Sequence, residues 1–288
     1  MTLRAIEIFR QLEEDDIRLL AGMERAMHRY EYVPLDRLPM MTRFLPKDLE
    51  YRLNRLDKFG LIRRRTFKYL GYTVLPAGYD TLALWNLVKR DILEAFGGAV
   101  GVGKEADIYN AVQPDGTKVA VKFNRLGRIS FTRIKRVRSY GLERGWVDAS
   151  RSAAQREFKV LQKIYPKVSV PKPIALERHV IVTGLIDGDE LANVADITEP
   201  EIVLDEILEN VRKAYRLGVV HGDLSEHNVI IRPQGEVLII DWPQWVPILH
   251  PRAEELLKRD VYNVLKYFRR KFRLDRSLAE TIKYIKSY

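Results

Sequence analysis

Asp223, Asn228 and Asp241 are the residues of this 288-residue chain whose types and spacing could do chemistry. Asp223 closes the run His221-Gly222-Asp223, Asn228 follows five residues later, and Asp241 ends the apolar segment Val237-Leu238-Ile239-Ile240. A carboxylate able to take a proton, beside an amide and a second carboxylate able to hold a hard cation, is the equipment of metal-assisted phosphoryl transfer.

The elements around these residues must bring them together. Two β-branched segments, 229–231 and 237–240, flank a turn at 233–235 and predict a hairpin whose base gathers Asp223, Asn228 and Asp241. His221 is expected to prop this loop by hydrogen bonding, since none of the five histidines has metal-ligand spacing with a partner. Further upstream the chain is glycine-rich. Over Gly101, Val102, Gly103, Lys104, Glu105 and Ala106, the glycines let successive backbone amides approach phosphate oxygens without a Cβ clash. A strand at 108–112, a turn at 114–116 and a return strand at 118–123 come next. Val119-Ala120-Val121-Lys122 in that return strand closely resembles the third-strand lysine motif of protein kinases, in which Lys122 would bridge two phosphates. A helix predicted over 152–165 carries Glu157, expected to pair with Lys122. A buried strand at 179–183 leads to 184–188, which reads as a hinge between lobes.

The first 90 residues have a different rhythm. A helix is expected over 3–30 and another over 47–59, capped by Gly60, followed by strands at 61–66 and 67–74 and a helix at 79–90. Helix, helix, hairpin is the pattern of a winged helix-turn-helix, and the stretch from Leu53 to Arg63 resembles that family's recognition helix entering its wing. Arg52, Arg55 and Lys58 on the helix, with Arg63 and Arg64 on the wing, are the expected nucleic-acid contacts. Residues 125–151 are strongly basic and interspersed with aromatics. They read as a long loop that binds nucleic acid or as a flap phosphorylated at Ser130 and Ser139.

Composition narrows the classes. Hydrophobic content of 46% describes an ordered chain, and a formal net charge of +10 favours a polyanionic partner. The absence of cysteine excludes disulfides and thiolate chemistry. Charges interrupt the first ten residues, and no stretch approaches the ~18 uninterrupted apolar residues of a spanning helix, so a cytoplasmic protein without membrane association is expected.

Gly-Val-Gly-Lys-Glu-Ala-Asp-Ile-Tyr, Val-Ala-Val-Lys, His-Gly-Asp-Leu-Ser-Glu-His-Asn and Ile-Asp-Trp-Pro-Gln, in that order, resemble the Rio family of atypical serine/threonine protein kinases. The winged helix is similar to that of its second subfamily. The resemblance implies an α+β fold: a winged helix-turn-helix with linker helix over 1–90, then a compact bilobal kinase-like domain over 91–288 with a truncated C-lobe. Its N-lobe would run over about 91–183 and its C-lobe over about 187–288. ATP with Mg2+ (or Mn2+) would be the cofactors, Asp223 the catalytic base, and Asn228 and Asp241 the metal ligands. Lys122 and Glu157 would fix phosphates, and the backbone of Thr183, Gly184, Leu185 and Ile186 would meet adenine. The implied partner is the pre-small-subunit ribosomal particle with its rRNA, bound by a protein mostly monomeric when free. ATP hydrolysis or autophosphorylation, with Asp241 itself as one acceptor, would switch that association. Two departures stand out: Ala106 where the family usually has Ser, and Thr183-Gly184 where it usually has Met-Glu. The rival readings are a small-molecule phosphotransferase and a nucleic-acid-binding scaffold with a kinase-like fold.

Overall fold

The computed structural model describes residues 2–103, 105–126 and 142–287. Lys104, Ser130, Ser139 and most of the basic stretch expected as a flap lie outside them. The chain forms two units, one of Met1–Arg151 with Glu177–Val180 and one of Ser152–Leu176 with Ile181–Tyr288.

The first unit opens with α1 (Thr2–Ile8) and α2 (Glu14–Ala26) where a single helix is predicted. The break has a local cause. Glu13 is extended at φ −99°, ψ 159° and starts α2 through a capping box in which its backbone N–H donates to Asp16 Oδ2 at 3.0 Å. Three acidic residues in the first turn then face the positive end of the helix dipole. β1 (Val33–Pro34), α3 (Leu38–Thr42), α4 (Pro46–Lys58), β2 (Ile62–Arg65), β3 (Gly71–Val74) and α5 (Pro76–Lys89) follow, with Pro46 and Pro76 at first-turn positions where their missing N–H costs nothing. The strands pair antiparallel in the order β1-β3-β2, and their hairpin loop takes up residues 66–70 that the sequence assigns to strand. Leu49, Leu53 and Leu56 put the inner face of α4 into a core with Leu19, Leu20 and Met23. α5 lies so close that a Cβ on Gly78 would stand 2.5 Å from the Leu61 carbonyl oxygen.

β4 (Ala95–Val102), β5 (Ala106–Val112) and β6 (Lys118–Asn124) make an antiparallel meander in the same unit. The glycine-rich stretch expected as a loop is drawn into β4, with register shifts between Phe96 and Ala99 and again between Ala99 and Gly101. Gly103 follows β4, its N–H donating to Ala106 O at 2.8 Å.

A buried polar cluster fastens this meander to α5. Arg125, just past β6, donates to both oxygens of Asp80 on α5 at 2.8 and 2.6 Å, and its Nε reaches Asp107 on β5 at 3.3 Å. The His179 ring lies 2.8 Å from Asp80, and the His179 carbonyl accepts the Asn124 N–H at 3.0 Å. Asp80 and His179 are wholly buried and Arg125 is 4% exposed. Burial works against the charged form of Asp80, yet Arg125 and His179 hold its carboxyl below the usual range; burial depresses His179.

The second unit takes most of α6 (Leu142–Ile164), which starts ten residues before the predicted helix because Val147 and Ser150 continue the buried face of Ala154, Val160 and Ile164. β7 (Pro173–Glu177) and β8 (Val180–Gly184) pair, and β9 (Asp189–Glu190) leads to α7 (Pro200–Arg216). Then come β10 (Val219–Val220), β11 (Val229–Ile231), β12 (Val237–Ile239), β13 (Val246–Pro247), α8 (Ala253–Phe272) and α9 (Leu278–Lys286). β12-β11-β9 form one small sheet and β10-β13 another. One core collects Leu204, Ile207, Val229, Ile239, Trp242, Val264 and Phe268, each side chain contributing about 1.5–3 kcal/mol by its burial. Among the described residues no helix is long and apolar enough to cross a membrane.

Candidate active site

The β11–β12 hairpin forms as the sequence predicts, with Val229 opposite Ile239 and Ile231 opposite Val237. Its base does gather the three polar residues. The Asn228 amide donates to the Asp223 carbonyl at 2.8 Å, and the Asn228 carbonyl accepts the Ile240 N–H at 2.9 Å, one residue before Asp241. Asp241 has φ 65°, a left-handed conformation that its short polar side chain tolerates. Burial, then the nearby Asp241 charge, raises the Asp223 carboxyl, while Arg259 at 3.8 Å opposes the shift. A carboxylate tuned upward beside a second one suits a proton acceptor. Gln244 aims it, donating to Asp223 Oδ2 at 2.9 Å.

His221 props the loop as expected. It accepts the Asp223 N–H on Nδ1 at 3.3 Å, which leaves Nε2 to donate to Ile240 O at 3.0 Å. Its ring rests 4.4 Å from that of Trp242. Gly222 sits at φ +83°, and a Cβ there would stand 2.7 Å from Gln244 O, so no other residue fits this turn.

Asp260 on α8 is the residue that sequence reasoning missed. Its two oxygens accept the N–H groups of Gly222, at 2.7 Å, and Leu224, at 3.0 Å, gripping the loop on either side of Asp223. Arg259 bonds Gly222 O, and Asn263 bonds Leu224 O at 3.1 Å. A signal was available: Asp260 interrupts the apolar face of Leu256, Leu257, Val261 and Val264, and an acid in a buried stripe is held there by donors.

Burial pushes the Asp260 carboxyl up to about 6. Once protonated, one oxygen turns from acceptor to donor and the grip on the two amides fails. Turnover should therefore fall as pH drops through about 6, and Asp260→Asn should show a reduced plateau lacking that limb, read from kcat against pH. Stability has the opposite sign. A folded value above the unfolded one makes the contribution of Asp260 full below about pH 4 and lost as pH rises through 6.

Magnesium held by one or two protein oxygens, with phosphate and water completing the shell, needs no all-protein cage. Among the described residues no three His, Cys, Asp or Glu converge as such a cage. Asn228 and Asp241 offer two oxygen-bearing side chains, which fits.

Comparison with known proteins decides the family. The RIO domain matches residues 107–281, and the Rio2 N-terminal domain matches residues 9–90. The chain belongs to the Rio2 branch of the RIO kinases. It is 43% identical over 258 residues to the RIO-type serine/threonine-protein kinase Rio2 of Methanocaldococcus jannaschii, spanning 87% of this chain and 94% of that protein. It is 36% identical over 272 residues to RIO2 of Caenorhabditis elegans, of which it spans 51%. The Rio2 kinase of Chaetomium thermophilum, solved as an ADP/Mg2+-phosphoaspartate complex, superposes with a TM-score of 0.86 at 31% identity, covering 96% of this chain and 88% of that one. The α+β reading of an N-terminal winged helix followed by a kinase-like domain is borne out.

The other residues expected from the Rio2 resemblance are distributed over both units. Gly101, Val102, Gly103, Glu105 and Ala106 run from the end of β4 into β5, and Lys122 is half-buried on β6, all in the first unit. Glu157 is buried on α6, and Thr183, Gly184, Leu185 and Ile186 lead out of β8, in the second. On the recognition helix, two of the expected contact residues also have partners in the fold. Arg52, its side chain 11% exposed, donates to Asp16 at 2.8 Å and Glu13 at 2.9 Å, and Arg55 donates to Asp16 at 3.0 Å. Both arginines thus contact the acids at the start of α2; Lys58, Arg63 and Arg64 are exposed.

Proposed function

We propose that this chain is an Mg-ATP-dependent serine/threonine kinase and ATPase whose phosphorylation or hydrolysis step switches its association with the maturing small ribosomal subunit. The observation that carries this reading is the meeting of Asp223, Asn228 and Asp241 at the hairpin base, with Asp223 raised toward proton acceptance. ATP supplies the phosphoryl group, and Mg2+ held through Asn228 and Asp241 would neutralise its charge. Lys122, paired with Glu157, would grip the phosphates that reach Gly101–Ala106, and the 183–186 backbone would meet adenine. In transfer to Asp241, a carboxylate oxygen forms the bond to the γ-phosphorus as the bond to the leaving ADP oxygen breaks. Water then attacks that phosphorus, Asp223 takes its proton, and phosphate and free Asp241 result. The phosphoaspartate in the Chaetomium thermophilum kinase supports this route. The rRNA contact is assigned to the recognition helix and wing through Arg52, Arg55, Lys58, Arg63 and Arg64, of which Lys58, Arg63 and Arg64 are exposed. Ser130 and Ser139 are further candidate acceptors, and a cytoplasmic, monomeric free form completes the proposal.

Purified protein given radiolabelled Mg-ATP should turn over slowly and change its rate when small-subunit rRNA is added. It should carry a hydroxylamine-labile label that Asp241→Asn lacks. Rapid phosphorylation of many unrelated peptides would overturn the switching role.

A further inference from the structure

The five residues from Asp241 to Trp245 reach in two directions. Gln244 reaches Asp223, and the backbone on either side of Gln244 reaches α6. The Arg156 guanidinium donates through Nε to Pro243 O at 3.2 Å and through Nη2 to Trp245 O at 2.7 Å. The Trp245 indole N–H returns the contact, donating to Arg156 O at 2.9 Å. These three bonds join adjacent stretches of the second unit, and each end touches the chemistry at one remove: Arg156 precedes Glu157, and Trp245 stands four residues past Asp241. Arg156 is itself exposed, so its fork adds little to the core and much to the register of the helix against the loop.

We propose that Arg156 and Trp245 are positioning residues, a reciprocal clamp that fixes Glu157 on α6 against the metal-holding Asp241 loop. The inference rests on the roles proposed above for Glu157 and Asp241. In a kinase that relies on a movable helix, the phosphate-gripping glutamate and the metal-holding aspartate can separate. With the clamp closed they travel together, and a nucleotide arriving with its metal meets both in one geometry. All three bonds end on backbone carbonyl oxygens, so the clamp depends on the fork of Arg156 and the indole nitrogen of Trp245. It does not depend on which side chains occupy 243 and 244.

The test uses the full chain. Arg156→Ala should lower ATP turnover about tenfold, within the range for loss of a group that orients a metal ligand. It should raise the Mg2+ concentration for half-maximal turnover by a similar factor while the thermal midpoint stays near wild type. Arg156→Lys should recover part of the loss through one carbonyl contact. Trp245→Phe should cost less, and Arg156→Ala with Trp245→Phe should cost less than the product of the two single losses, because both act through one clamp. Multiplying effects, or an unchanged Mg2+ dependence in Arg156→Ala, would overturn the clamp. Asp241→Asn serves as the control: if it too leaves the Mg2+ dependence unchanged, the metal site falls with the clamp. If it alone shifts that dependence, only the clamp falls.

Discussion

Asp223→Asn should lower phosphoryl transfer by about 10²–10⁴-fold and leave the fold and Mg-ADP binding close to wild type. The substitution keeps an oxygen to accept the 2.9 Å bond from Gln244, and the backbone carbonyl that Asn228 uses is untouched. What disappears is the negative charge, and with it the capacity to take a proton. The side chain is 52% exposed, so removing its charge leaves no buried group stranded. Asp241→Asn should behave differently. It replaces the charged carboxylate ligand by a neutral amide with one oxygen, so Mg-ADP affinity should fall together with turnover. Turnover assays and calorimetric titration of Mg-ADP on the two variants separate the roles. Equal weakening of Mg-ADP by both would show that Asp223 holds the metal and takes no proton, and the assignment of a base would be wrong.

Arg125→Met should destabilise the protein by about 3–5 kcal/mol, the largest loss expected of any single change outside the hydrophobic cores. Arg125 provides the guanidinium that Asp80 accepts through both oxygens, and it also serves Asp107, which is 2% exposed. Take it away and Asp80 and Asp107 both lose that guanidinium in a place water barely reaches, with His179 still beside Asp80. Asp80→Leu added to Arg125→Met should recover part of the loss, because one of the two buried carboxyl groups that Arg125 serves is then gone. Urea unfolding of the full chain measures both. The cluster also gives a pH signature. His179 and Asp80 are both depressed in the folded state, so each contributes stability above its unfolded value, and that stability is lost as pH falls. For His179 the loss begins below about 6.5. A single variant losing under about 1 kcal/mol would mean that the cluster is hydrated on a scale its burial contradicts.

The motifs that carry chemistry were legible because each is local. His221 to Asn228 and Val237 to Asp241 need only a loop and a hairpin, both written within some twenty residues, and β-branching with a Pro/Gly turn is enough to specify them. Partners from afar were not legible. Asp260 lies 38 residues from Gly222, and Arg156 is 89 residues from Trp245; no periodicity spans such distances. α2 begins at Glu13 because a capping box outcompeted the continuous apolar spacing of 3–30. The same cap decided the fate of Arg52 and Arg55. A helical wheel places them outward, yet it cannot show that the acids of another helix wait there. The glycine stretch misled in the other direction, since pairing with β5 turned an expected loop into bulged strand.

The backbone at Asp241 restricts what the position can become. At φ 65° the backbone is left-handed, a conformation that glycine, asparagine and aspartate adopt most readily. Of these only aspartate carries charge. Glutamate, the obvious substitute on electrical grounds, would hold that backbone less readily. Shape and charge thus favour the same amino acid independently at this position.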